Sequence, residues 1–146
     1  MSSKATGAIT EIVVALFLAA LSGALVAMQD VTVPDQLQSI EGTVISRTPI
    51  HGKGKKLTGF RFCIDQPRMT FTYSDAAPRL EEAWTAINAN DNVRVQYEPH
   101  DRSNPTLWGL EINGQEVANS LEIRNGRIDQ LLIWLGVCIA SLAYAF

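Results

Sequence analysis

The sequence predicts a mainly β chain, a small five-stranded barrel with one capping helix, flanked by two transmembrane α-helices. Three observations carry this expectation. Residues 12–28 (IVVALFLAALSGALVAM) and residues 130–146 (QLLIWLGVCIASLAYAF) contain no Asp, Glu, Lys or Arg. Nearly all the charge of the chain falls between those two runs. Within that middle part, short segments alternate apolar and polar residues with the period of two that marks half-buried strands. The expected organisation is a membrane helix over residues 1–29, a β-rich domain over 30–127 and a second membrane helix over 128–146.

The first apolar run approaches the roughly 20 residues that a bilayer crossing needs, from Ala5 to Met28, if Thr6, Thr10 and Glu11 sit near the interface. It reads as a retained helix, the alternative being a signal peptide cut near Ser22-Gly23-Ala24 or Leu25-Val26-Ala27. Ala15, Ala19, Gly23 and Ala27 recur at every fourth residue, a stripe that lets helix backbones approach closely in lipid.

The elements of the middle part follow in order. Val31 to Gln38, with Pro34, reads as a linker. Ile40, Gly42 and Val44 alternate with Glu41 and Thr43 in a first strand over 40–47. The stretch Thr48 to Lys56 reads as a loop. Phe60, Phe62 and Ile64 share one face of a second strand over 57–65, and Met69, Phe71 and Tyr73 one face of a third. From Pro78, the residues Leu80, Ala83, Trp84 and Ile87 form a single apolar stripe at helical spacing. Val93, Val95 and Tyr97 mark a fourth strand over 92–98, and Trp108, Leu110 and Ile112 a fifth over 106–112. Asn113-Gly114 is a two-residue hairpin turn, because both residues tolerate positive φ, so Gln115 to Ala118 fold back on the fifth strand. Ile128 to Phe146 is the second span, entered at Asp129, with Gly136 and Ala140 repeating the small-residue spacing.

Three strands, a helix and two further strands follow the element order of an oligonucleotide/oligosaccharide-binding (OB-like) barrel. The string VRVQYEPHDRSNP, with Val93, Val95, Tyr97, Pro99, Asp101 and Pro105, resembles a strand and loop of a widespread bacterial family of membrane proteins of unknown function. Gly42-Thr43-Val44, Phe60-Arg61-Phe62 and Tyr73-Ser74 are similar to its pattern as well. The resemblance covers about residues 40 to 112 and implies a small β-domain between or beside transmembrane helices. It implies no catalytic residue. The chain departs from the pattern in a longer helical insert around Trp84 and in the hairpin after Asn113.

Composition removes several classes of function. With 47% hydrophobic and 18% charged residues the chain is not disordered. A formal net charge of −3 and a pI near 5.3 give no global attraction to polyanions, so any anion site must be local. Two cysteines, Cys63 and Cys138, and two isolated histidines, His51 and His100, provide neither a disulfide framework nor a metal-ligand spacing. No cofactor and no metal is expected.

No nucleic acid is expected as a partner, since Phe60, Phe62, Phe71 and Tyr73 fall in phase with Ile64 and Met69 and so fill the barrel. The outward set Arg61, Cys63, Thr70 and Thr72 offers no surface for base stacking. No enzyme is expected either. Glu81 and Glu82 are adjacent on a helix and point about 100° apart, and nothing orients Cys63 toward a histidine. Glu11 reads as a carboxylate at headgroup level.

The chain therefore reads as a non-enzymatic, membrane-anchored interaction or accessory subunit of a membrane assembly. Its expected partners are membrane lipid and either other membrane subunits or further copies of itself. The helix-packing candidates are Ala15, Ala19, Gly23, Ala27, Gly136 and Ala140. The alternative is an anchored module that binds an anionic lipid headgroup or polysaccharide through His51, Lys53, Lys55, Lys56 and Arg102. Two spans place it in the inner (plasma) membrane as a multi-pass protein. The β-domain is expected on the extracytoplasmic side, because a short uncharged tail needs no translocation if it stays inside.

Overall fold

One long strand organises the sheet. In the computed structural model, which describes residues 31–99 and 105–144 together with Val13, Leu16 and Gly23, β1 runs from Gln38 to His51. Its first half, Gln38 to Thr43, pairs antiparallel with β4 (Asn92–Glu98). Its second half, Val44 to His51, pairs antiparallel with β2 (Leu57–Ile64). A shift of register between Val44 and Ser46 falls where the strand changes partner, and such an irregularity bends a strand. β3 (Met69–Ser74) continues beyond β2, while β5 (Thr106–Ile112) and β6 (Gln115–Ala118) continue beyond β4. The resulting antiparallel sheet has six strands in the order β3-β2-β1-β4-β5-β6, and β3 also lies against β5.

The alternating residues of these strands fill one core. Phe60, Phe62, Phe71, Tyr73, Val93, Val95, Trp108 and Leu110 are almost wholly buried, as period two requires. The rings interlock, with Phe60 stacked on Tyr73 at 5.1 Å between centroids and Phe71 edge-on to Tyr97 at 5.6 Å. Helix α1 (Leu80–Ala86) adds Ala83, and Ile87 just after it, to that core. Asn113 (φ 50°) and Gly114 (φ 82°) take the left-handed conformation that a tight hairpin demands, and β6 folds back on β5 as the dipeptide predicts.

Three expectations are corrected. The sheet has six strands rather than five, the sixth being the return arm of the Asn113-Gly114 hairpin. The first loop is shorter than Thr48 to Lys56, because Thr48 to His51 stay paired with β2 and put His51 in a strand. The last helix, α2 (Ser120–Tyr144), begins eight residues before Ile128. Its start is fixed by a capping box. The Glu122 N–H donates to Asn119 Oδ1 at 3.0 Å, and the Asn119 N–H donates to the Glu122 carboxylate at 3.2 Å.

Among the described residues, no helix is long and apolar enough to cross a membrane. Glu122, Arg124, Arg127 and Asp129 occupy the first part of α2, leaving Gln130 to Tyr144 without charge. At a rise of 1.5 Å per residue that stretch covers about 22 Å, against a hydrocarbon core of about 30 Å. The expected first span lies outside the described residues apart from Val13, Leu16 and Gly23, which are helical. The chain divides into two compact units, Val33–Arg127 and Met1–Thr32 with Ile128–Phe146.

Candidate functional site

The β1–β2 hairpin carries the residues that the sequence singles out for ligand binding. Its arms are held by the pairing of His51 with Leu57 and by the Gly52 N–H donating to the Lys56 carbonyl at 2.9 Å. Between them a 3-10 turn, Lys53–Lys55, makes the tip. Gly54 (φ 76°) and Lys55 (φ 62°) are both left-handed there, which costs glycine nothing and a lysine more. His51, Lys53, Lys55 and Lys56 are all exposed, so the structure brings four of the five candidate residues to one tip. Arg102, with His100 and Asp101 of the other candidate loop, lies outside the described residues.

The sheet arranges the neighbouring cations differently. Arg47, on β1, turns away from the tip and donates to the carbonyls of Trp84, at 2.8 Å, and Ile87, with its guanidinium 4.4 Å from the Trp84 ring centroid. It thus satisfies the carbonyls at the end of α1 and is a structural cation. Arg61 projects from the outer face of β2 and is exposed. Among the described residues, none of Lys53, Lys55, Lys56 and Arg61 forms an ion pair.

On the far side of the sheet, a groove of about 220 Å³ is lined by Arg94, Gln96, Gly109, Glu111, Glu116 and the start of α2. Arg94 is hydrogen-bonded to Glu41 and lies 3.2 Å from Glu111, a bond and a charge that raise the affinity of its guanidinium for the proton. Two carboxylates on one guanidinium leave no net positive charge, so this groove does not attract anions.

The residues considered for chemistry stay apart. Glu81 and Glu82 are exposed on α1, and Cys63 is half-buried, its thiol donating only to the Ile64 carbonyl at 3.5 Å. Among the described residues there is no group of three side chains able to hold a metal. Asp65 is held below the ordinary carboxylate range by the Thr43 N–H, with a further bond from the Gln66 N–H, each at 2.8 Å, and it closes the turn after β2.

Two features escape sequence reasoning. Arg127 sits over the ring of buried Trp108, 4.2 Å from its centroid, while the Trp108 indole N–H is buried with no hydrogen-bond partner among the described residues. Gly126 brings the α2 backbone so close to the Ala76 carbonyl that an added Cβ would lie 2.0 Å from its oxygen. Nothing local in the sequence signals either contact.

Of the helix-packing candidates, a Cβ added at Gly23 or Gly136 meets nothing within 4 Å among the described residues, and Ala140 is exposed. Ala15, Ala19 and Ala27 lie outside the described residues. No family model matches the chain, and no curated protein is significantly similar to it.

Proposed function

We propose that the chain is a membrane-anchored, non-enzymatic interaction subunit whose β-domain is an OB-like barrel. The observation that carries this reading is the surface of α2 beyond Asp129. Leu132, Ile133, Trp134, Val137 and Ile139 are 52–69% exposed, and at 100° per residue they spread over more than half the helix circumference. A helix that is apolar on that many sides needs lipid or protein around it. Lipid is the proposed surrounding, with the amino-terminal apolar run as a second anchor. The side of the membrane proposed for the β-domain is the extracytoplasmic one.

The barrel assignment rests on a strand order in which β1 pairs with both β2 and β4, on β3 lying against β5, and on a helix between β3 and β4. The likeness of VRVQYEPHDRSNP to a family of small membrane β-domains supports the same reading. The interaction role rests on the exposed glycines. Gly136 is small, with nothing among the described residues within 4 Å of an added Cβ, as expected where a second helix approaches in the bilayer.

The test is the size of the full chain in mild detergent, alone and with Gly136→Leu. The expected result is an assembly larger than one chain that the substitution shrinks, with unchanged unfolding of the β-domain. A single chain in both cases, without a stoichiometric partner from native membranes, would refute it. A second reading, an anchored module holding an anionic ligand, is favoured by the unpaired lysines of the hairpin tip.

A further inference from the structure

Charge in this protein is segregated along the chain. Between Val44 and Ile64 there are five Lys or Arg residues and no Asp or Glu; with these five, the formal −3 of the whole leaves −8 for all other residues. Folding spends one of the five, Arg47, on the end of α1. The other four, Lys53, Lys55, Lys56 and Arg61, stand exposed on one hairpin, with His51 beside them. Two arginines of the acidic remainder, Arg79 and Arg94, behave otherwise. Arg79 pairs with Glu122 at 3.1 Å, and Arg94 pairs with Glu41 and Glu111.

We infer that this hairpin tip is a docking surface for the phosphate-bearing headgroups of an anionic bilayer, the membrane that holds the chain. The inference rests on the anchoring proposed above. Four unpaired cations with no Asp or Glu between Val44 and Ile64 match a surface of fixed negative charge, and a cluster of lysines and arginines of this size is attracted to anionic lipid. Other polyanions fit less well. Single-stranded nucleic acid needs aromatic platforms, whereas Phe60 and Phe62, the aromatic residues of this hairpin, are buried. Lipid headgroups need charge alone, and a flexible lysine tip supplies point charges without fixed geometry. Ile45, 46% exposed on β1, adds apolar surface to the same hairpin.

The experiment reconstitutes the full chain into nanodiscs of phosphatidylcholine alone or with a third of phosphatidylglycerol, and reads acylation rates of Lys53, Lys55 and Lys56 by mass spectrometry. The expected result is several-fold slower acylation on anionic discs, lost in 1 M salt, where the screening length falls to about 3 Å. Equal rates on the two kinds of disc, with the protein incorporated in both, would overturn the tip assignment and leave the anchoring intact. Protection by a soluble oligonucleotide but not by anionic discs would overturn it in favour of another polyanion. Failure to enter neutral discs refutes the anchoring separately. In that case anionic vesicles added at low salt must still slow the acylation, or the tip assignment falls too.

Discussion

At the scale of single residues, long-range contacts rather than local preference decide what this chain tolerates. Gly126→Ala would gain about 1 kcal/mol of helix propensity, yet its methyl would meet the Ala76 carbonyl oxygen at 2.0 Å. Overpacking of this kind costs roughly 1–3 kcal/mol, and a backbone atom yields less readily than a side chain. Gly126→Ala is therefore expected to be destabilising on balance, seen as a lower midpoint of thermal unfolding. Tyr73 donates its hydroxyl to the Pro78 carbonyl at 2.5 Å, and burial pushes its phenol well above the ordinary value. Folding thus favours the protonated phenol. Its contribution to stability is complete below the ordinary phenol value of 10.0 and declines as pH rises above it. Tyr73→Phe should lose about 1 kcal/mol at neutral pH and flatten that alkaline decline in a denaturant titration. Asp65 works in the opposite sense. Its contribution is present above the ordinary carboxylate value of 3.8 and fades as pH falls below it, so Asp65→Ala should make the acid limb shallower.

At the scale of elements, what the sequence reveals is what repeats locally. The strands Asn92–Glu98, Thr106–Ile112 and Gln115–Ala118 are where alternation and the Asn-Gly turn place them. The far half of β1 is not legible, because Thr48-Pro49-Ile50-His51 lacks alternation and is held by its partner strand. The start of α2 is hidden differently. Its capping box, Asn119 with Glu122, is readable, but the hydropathy of the following run draws attention ten residues downstream. Helix α1 has only seven residues and no side-chain cap at its start. Its end depends on Arg47, a contact across 37 and 40 positions of sequence. Arg47→Lys keeps the charge but loses the fork that reaches two carbonyls. Hydrogen exchange over residues 80–87 should accelerate in that variant while the β4–β5 amides stay protected; uniform acceleration would instead mean that Arg47 supports the whole sheet.

At the scale of the whole molecule, the candidate site was partly legible: a cluster of lysines between glycines announces a basic tip. The absence of Asp and Glu from Val44 to Ile64 is legible in the sequence too, whereas the withdrawal of Arg47 to the end of α1 appears only in the folded chain. The chain carries a β-domain with ion pairs on its surface and a helix on which Leu132, Ile133, Trp134, Val137 and Ile139 are exposed. That contrast is the basis of the proposed membrane anchoring, and Trp134, 69% exposed on α2, reports on it. The full chain in vesicles containing phospholipids brominated along their acyl chains should show fluorescence quenching that disappears in Trp134→Phe, because Trp108 is buried and Trp84 packs against the β-domain core. Quenching of Trp134 by aqueous iodide, with none from the brominated chains, would contradict the account.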